Sequence, residues 1–349
     1  MRSVSSGRRA AGSGGARRCS ICGRPAVVRL PYARLSLCRD HFIEFVERKV
    51  KRVLKRVGAL RPGARILVAV SGGKDSAAML QALVRVARPE GVELVAVHLD
   101  LGFDGYSTAS SRVAVEACEK LGVPCLVVNV AEAAGLPVHE LARRLRRPTC
   151  SVCGVVKRYL INAVAVEAGA DYVAMGHNAD DIIAYSVKEF LNQNLEALAK
   201  LGPSTETVEG LAVGRLRPLY EVFEREALLY ALLTGVPFLH DECPFRPEAP
   251  IEQRVKEFAN RLEEEHPGTK MNFIRRLESR MKVYKALAGE AKPNRCKVCG
   301  MPAAGEVCSF CRITMKAVGE PRGPHARRLV REKLESLGLV GHRGSGGAS

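Results

Sequence analysis

The sequence has few aromatic residues. Among its 349 residues there is no tryptophan, and aromatic residues make up only 5% of the chain. Proteins that bind single-stranded nucleic acid without sequence preference stack the unpaired bases on aromatic side chains. The composition therefore argues against that class and favours a protein that recognises the shape and the phosphates of a folded polyanion.

Acidic residues are also scarce relative to basic ones. The chain has 54 Lys and Arg against 37 Asp and Glu, a net charge of +17. The excess is concentrated in residues 42–58 and 141–158, and the second segment contains no acid. Because contacts from Arg and Lys to phosphates supply most nonspecific affinity for nucleic acids, we expect a nucleic-acid partner.

Long apolar runs are missing as well. No run approaches the 18 residues of a membrane span, and the basic start of the chain lacks the apolar segment of a secretory signal. We therefore expect a cytoplasmic protein that does not enter a membrane. The twelve cysteines then indicate metal or redox chemistry rather than structural disulfides.

A phosphate-binding loop is the most informative feature that is present. The apolar run 66–70 leads into SGGKDS at residues 71–76, and a helix-forming run follows to residue 86. The backbone N–H groups of such a loop, together with the start of the helix, form a cradle for phosphate. The loop differs from that of kinases and GTPases, since Val68 and Asp75 stand where that motif needs Gly and Ser or Thr.

Alternating strand and helix patterns predict an α/β fold, a doubly wound parallel sheet. The predicted strands are 66–70, 94–99, 126–130, 172–175 and 216–219, and the predicted helices between them are 75–86, 108–121, 152–168 and 179–201. Further helices are predicted at 42–57, within 224–288 and at 326–337. Ligands of such sheets bind at the carboxyl ends of the strands, where the loop 71–76 and the segments 98–100 and 176–181 lie.

The predicted organisation has five parts. They are a disordered basic tail (1–18), a zinc finger with a linker helix (19–58), a catalytic domain with a helical extension (59–290), a zinc ribbon (291–318) and a second basic tail (319–349).

Eight of the metal-binding candidates form two groups with the spacing of tetrahedral zinc sites. The N-terminal group is Cys19, Cys22, Cys38 and His41, and the C-terminal group is Cys296, Cys299, Cys308 and Cys311. Four protein ligands close each site, so we expect both zinc ions to be structural.

A third group of cysteines has a different pattern. Cys150, Cys153 and Lys157 share one face of a predicted helix, and Cys243 lies far along the chain. These residues fit a zinc site completed by His240, a redox or persulfide pair, or an iron–sulfur cluster that leaves one iron open. Their spacing does not choose among the three.

Together these motifs resemble the tRNA 2-thiolation enzymes of the TtcA/TtuA and Ncs6-like family, which carry a pyrophosphatase loop. The resemblance covers residues 19–311. It rests on SGGKDS (71–76), Cys-x2-Cys-Gly-x2-Lys-Arg (150–158), GHNADD (176–181), Cys243 before proline, PGTKMN (267–272) and the two flanking zinc modules. It implies a fold like that of the adenine nucleotide alpha hydrolases.

The resemblance also implies roles for particular residues. Catalytic roles fall to Lys157 and to Asp181, which is preferred over Asp180. Cys150, Cys153 and Cys243 would hold a four-iron four-sulfur cluster. The residues implied to bind ATP, with Mg²⁺, are Ala69, Ser71, Gly72, Gly73, Lys74, Asp75, Ser76, His98, Lys157 and Gly176.

The implied reaction is the replacement of the C2 oxygen of a tRNA uridine by sulfur. ATP would adenylate that oxygen, with release of pyrophosphate, and AMP would leave when sulfur arrives. Uridines 54 and 34 both fit the family, and the paired zinc modules favour 54. The implied partners are tRNA, a ubiquitin-like sulfur carrier or a sulfide donor, and a second copy of the chain. Two alternatives stay open: another adenylating enzyme that forms lysidine or an amide, and a non-catalytic zinc-ribbon RNA-binding protein.

Overall fold

A central parallel sheet organises the protein. The computed structural model describes residues 17–289 and 293–340, so most of the first predicted tail and the end of the second lie outside the described residues. Five strands line up in the order β5-β4-β3-β6-β7, and every neighbouring pair is parallel. The strands are β3 (Arg65–Ala69), β4 (Glu93–Asp100), β5 (Cys125–Asn129), β6 (Tyr172–Ala174) and β7 (Gly214–Leu216), which follow β1 (Val28–Leu30) and β2 (Leu35–Leu37) of the N-terminal module.

Both faces of this sheet are buried, because side chains along each strand point alternately to two apolar cores. Leu67 and Val95 belong to one apolar core, while Ile66, Val68 and Leu94 belong to the core on the opposite face. Successive residues of a strand point to opposite faces, so a continuous apolar run requires cover on both sides. The predicted doubly wound α/β fold is confirmed, although β7 lies two residues earlier than expected.

Helices supply that cover. The first, α1 (Arg39–Arg56), packs beside α2 and α9. Eight more follow within the sheet domain: α2 (Lys74–Val86), α3 (Tyr106–Lys120), α4 (Val130–Ala134), α5 (Val138–Leu145), α6 (Thr149–Glu167), α7 (Ala179–Leu191), α8 (Leu195–Leu198) and α9 (Glu224–Thr234). The sequence did not predict α4 and α5.

The helix predicted over residues 179–201 is two helices. It breaks after Leu191, because Gln193 adopts a left-handed conformation with φ of 52° and Asn194 then caps α8. The predicted helical extension consists of α10 (Ile251–Glu265), α11 (Thr269–Ser279) and α12 (Met281–Ala288).

The C-terminal module packs against the sheet domain. It contains β8 (Asn294–Arg295), β9 (Pro302–Ala303), α13 (Ser309–Val318) and α14 (Gly323–Ser336). Val330 and Leu334 of α14 are completely buried, and Glu167 of α6 binds two arginines of this helix. The sequence predicted a basic tail from residue 319 onward, whereas in the structure α14 packs into the core.

Helix α6 has the length and apolar composition of a membrane span, with a mean hydropathy of 1.3. This differs from the expectation that no segment approaches such a span. In the structure α6 lies against the sheet and contacts α5, α13 and α14, so a core helix explains its composition.

Candidate active site

The loop at residues 71–76 forms a tight turn between β3 and α2. The Ser76 hydroxyl donates to the Gly73 carbonyl and accepts from the Ser71 N–H, at 2.9 and 3.1 Å. Gly72 has a φ of +84°, and a Cβ built on it would lie 2.8 Å from the Ser110 carbonyl oxygen. Glycine is therefore required there, and the loop's N–H groups are placed at the start of α2.

The buried His98 side chain is hydrogen-bonded to Val70, the residue that precedes this loop. It is only 1% exposed, and its Nδ1–H donates to the Val70 carbonyl while its Nε2 accepts from the Ser111 hydroxyl, each at 2.9 Å. Burial lowers the pKa of His98, so the imidazole is neutral. Its predicted contact with ATP stays a prediction, since both ring nitrogens already have protein partners.

The GHNADD segment packs directly on the loop. A Cβ on Gly176 would lie 3.2 Å from the Ser76 nitrogen, and the Asn178 amide donates to Asp75 at 3.2 Å. Asn178 and Asp181 form a capping box that starts α7. The loop and this segment thus present one continuous surface at the carboxyl ends of β3 and β6.

Five charged groups meet beside this surface. Lys74 binds Asp75 and Glu224, both at 2.8 Å, and Lys256 of α10 binds Asp181 and Glu224 at 2.6 and 2.9 Å. Burial raises the pKa of Asp75; Lys74 opposes this rise, and Asp181 and Glu224 add to it. Three carboxylates close together suit a divalent cation, and here two ammonium groups balance two of the three negative charges.

Asp180 has a different role from Asp181. Its side chain is 3% exposed, contacts the buried ammonium of Lys270, and accepts from the Glu224 N–H at 2.7 Å. It therefore fixes α9 and α11 onto α7, whereas Asp181 faces the loop. The preference for Asp181 as the acid of the site stays a prediction.

The three cysteines of the third group are brought together by a segment that crosses the loop. The Leu239 N–H donates to the Gly72 carbonyl at 2.8 Å, and the chain then continues to Cys243. The Cys150 thiol donates to the Phe245 carbonyl at 3.1 Å. Cys243 packs against the same apolar cluster that contains Cys153.

Lys157 lies beside these thiols. Burial raises the pKa of the Cys153 thiol; the neighbouring ammonium of Lys157 opposes the rise, and Cys243 and Cys150 add to it. The four groups thus interact electrostatically at the first turns of α6. The arrangement joins a nucleotide loop to three soft ligands and one cation.

The trio does not have the geometry of a single-ion site. Among the described residues, the sets whose ligand atoms all lie within 4.8 Å of one another are the two predicted zinc groups. The alternative of a zinc ion shared by Cys150, Cys153, His240 and Cys243 is therefore not supported. At least one pair of the ligand atoms in this third group is therefore more than 4.8 Å apart.

The two predicted zinc groups have the geometry that zinc requires. Cys22 and Cys38 have their sulfurs 3.7 Å apart, as do Cys299 and Cys308. Tetrahedral coordination with zinc–sulfur bonds of about 2.3 Å separates two sulfurs by about 3.8 Å. Both groups can therefore hold a zinc ion.

Sequence reasoning missed several members of the site. Glu224 and Lys256 belong to helices far along the chain and carry no local motif. Lys270 lies in PGTKMN, which the resemblance included without giving it a role. The PGTKMN motif was therefore the one signal in the sequence that could have pointed to Lys270.

Comparison with known proteins identifies the family. Residues 43–247 match the PP-loop domain, and residues 18–43 match the N-terminal LIM domain of the 2-thiouridine synthetase TtuA. The tRNA-5-methyluridine(54) 2-sulfurtransferase of Pyrococcus horikoshii is 39% identical, over 85% of this chain and 93% of its own. The chain belongs to the tRNA 2-sulfurtransferase family of PP-loop proteins.

The names of other relatives give a different uridine or no uridine position at all. The structure of the U34-tRNA thiolase NcsA from Methanococcus maripaludis, solved with its [4Fe-4S] cluster, matches with a TM-score of 0.73 and 27% identity, over 86% of this chain and 96% of that one. The cytoplasmic tRNA 2-thiolation protein 1 of Bos taurus is 30% identical, over 84% of this chain and 86% of its own.

Proposed function

We propose that this chain is an ATP-dependent tRNA 2-sulfurtransferase. The observation that carries the proposal is a single segment that pairs with the loop at residues 71–76 through Leu239 and then brings Cys243 to the apolar cluster of Cys153. The loop can hold the phosphates of ATP, and the thiols can serve sulfur transfer. Family membership and the basic surface make tRNA the substrate, and the homologue named cytoplasmic supports a cytoplasmic location.

The residues of this chain would act on ATP and uridine in turn. The N–H groups of the loop bind the leaving pyrophosphate while the uracil C2 oxygen attacks the α-phosphorus. Asp75 and Asp181 are the carboxylates that would hold Mg²⁺, and Lys157 stabilises negative charge on the phosphates. Hydrosulfide then adds at C2, and AMP leaves with the former uracil oxygen, so C=O becomes C=S.

Cys150, Cys153 and Cys243 would hold a [4Fe-4S] cluster, like the one in the NcsA structure. Such a cluster, when bound, supplies an iron that can carry sulfur. Of the three thiols only that of Cys153 is buried; burial raises its pKa, and the neighbouring charge of Lys157 opposes that rise.

The finer assignments are the target uridine and the partners. We propose uridine 54, since the relative named for that position is 39% identical along 93% of its length. A ubiquitin-like carrier with a terminal thiocarboxylate, or free sulfide, would donate sulfur, and the active species would be a homodimer. Light scattering tests the dimer, and tRNAs mutated at uridine 54 or 34 test the position.

The reaction itself is tested with anaerobically purified protein, ATP, sulfide and a tRNA transcript. Mass spectrometry of the nucleosides should show a 2-thiolated uridine, and AMP should form in equal amount. Cys153→Ser and Lys157→Ala should abolish thiolation, whereas Cys118→Ala, a matched change in the opposite core, should not. Undiminished AMP formation by Cys153→Ser, with no 2-thiolated uridine in the products of either protein, would instead favour an adenylating enzyme that needs no thiol.

A further inference from the structure

Helix α6 is fixed to the edge strand of the sheet by Asn162. Its side-chain oxygen accepts from the Val213 N–H at 3.1 Å, and its amide donates to the Leu211 carbonyl at 3.0 Å. These bonds set the register between α6 and the strand β7 that follows. They therefore decide which residues of the two elements come level at the carboxyl edge of the sheet.

Arg158 and Arg215 come level in this register. Arg158 lies one helical turn before Asn162 on the same face, a shift of about 6 Å along the axis. Arg215 lies two residues after Val213 on the same face of the strand, a shift of about 6.6 Å. Since α6 precedes β6, which is parallel to β7, helix and strand run in opposite directions and both shifts lead to the carboxyl edge.

Two further observations place the Arg158 guanidinium beside the first turn of α6 and near Arg215. A Cβ built on Gly154, next to Cys153, would lie 3.2 Å from Nη1 of Arg158. The pKa of Arg215 is lowered, first by the surrounding protein and then by the charge of Arg158, although both side chains keep contact with solvent. Arg158 thus bends towards the start of α6.

No carboxylate balances these two charges among residues 17–289 and 293–340. The opposite end of the same helix is different, because Glu167 there binds both Arg327 and Arg331. Two cations held side by side repel each other unless an anion neutralises them. Arginine binds phosphate oxygens in a bidentate manner, so a phosphate is the anion that suits the pair.

We propose that Arg158 and Arg215 together bind one backbone phosphate of the tRNA, beside the uridine that reacts. The inference rests on the proposed function, which makes tRNA the substrate. The ATP phosphates are the other source of this chemistry. We favour RNA because the ATP loop follows β3, whereas Arg215 lies on the edge strand with β6 between them, and both arginines are exposed to an arriving macromolecule.

The test compares Arg158→Gln, Arg215→Gln and the double variant with the wild type. Fluorescence anisotropy with labelled tRNA over a range of salt gives the dissociation constants. Each single change should weaken binding about tenfold, as expected for one charge-assisted contact, and should reduce the salt slope by about 1. Arg61→Gln is the matched control, since it removes one exposed charge at the amino end of the sheet.

The double variant tests the shared phosphate. Its loss should be clearly smaller than the product of the two single losses, because both arginines hold one group. A loss equal to that product would place the arginines on separate phosphates and overturn the shared site.

ATP kinetics distinguish the two sources of phosphate. The KM for ATP should stay unchanged in all variants; a raised KM with normal tRNA binding would assign the pair to ATP and overturn the inference. Normal tRNA binding and salt slope in the variants would also overturn it. If the wild type itself bound no tRNA, the proposed function would fail as well. That failure is read from the wild type alone, whereas failure of the phosphate site is read from the variants.

Discussion

Replacement of Lys270 by methionine should strongly destabilise the protein. The Lys270 side chain is 7% exposed; its ammonium contacts the buried Asp180 carboxylate, lies 2.6 Å from the Asn260 side-chain oxygen, and sits over the Phe223 ring at 4.4 Å. Methionine preserves the apolar stem but leaves Asp180 as a buried charge without a cation. Removing one partner of such a pair costs about 3–5 kcal/mol in the free energy of unfolding.

A double-mutant cycle separates this cost from lost packing. Asp180→Asn removes the unpaired charge, and the amide oxygen can still accept from the Glu224 N–H. The double variant Lys270→Met/Asp180→Asn should therefore be more stable than Lys270→Met alone, with a coupling energy of about 2–3 kcal/mol. Urea unfolding with zinc present gives these values for all four proteins.

A matched control shows that burial causes the effect. Lys285 binds Glu206 on the surface, where the two side chains are 47% and 83% exposed. Lys285→Met should cost less than about 1 kcal/mol. The reasoning would be refuted if Lys270→Met cost no more than this control, or if the two changes at Lys270 and Asp180 simply added.

Three other positions give predictions of the same kind. Gly323→Ala would place a Cβ 2.5 Å from the Cys311 sulfur, so metal analysis should show loss of the C-terminal zinc; Gly305→Ala, where a Cβ meets nothing within 4 Å, should keep it, and equal zinc in both would contradict us. Gly72→Ala should reduce AMP formation at least about tenfold, because its φ of +84° and the Ser110 carbonyl exclude a side chain. Burial, then the charge of Arg217, lowers the pKa of His177 to about 4. Its usual value is about 6.5, so the unfolded chain binds the proton more tightly, and about 3 kcal/mol of stability should be lost as the pH falls from about 6.5 to 4. His177→Gln should flatten that loss; parallel pH curves for both proteins would argue against it.

Much of the fold follows from local patterns. Runs such as 66–70 are apolar at every position, so each strand needs cover on both faces. This pattern predicted a parallel sheet with helices on both sides. Element ends were less predictable. Gln193 breaks a helix by its backbone conformation, which its residue type does not predict. Helix α14 is buried through contacts with α6, which the residues of α14 alone do not reveal.

The candidate site divides in the same way. Spacing within 25 residues sufficed for the zinc groups, because their ligands lie on short turns whose geometry is local. The residue pattern already grouped Cys243 with Cys150 and Cys153, and the resemblance supplied the role of this group and the roles of Lys157 and Asp181. No local rule supplied Glu224 or Lys256, because their contacts depend on how separate helices pack.

The sequence by itself determined the loop that holds phosphate, the two zinc groups and the alternation that makes a parallel sheet, since each depends on neighbours along the chain. Only the tertiary structure decided that Cys243 comes near Cys150 and Cys153, that Asp180 is buried while Asp181 faces the loop, and that Arg158 and Arg215 come level. Those distances depend on the register of helices against the sheet, which is set by packing among residues far apart in the chain.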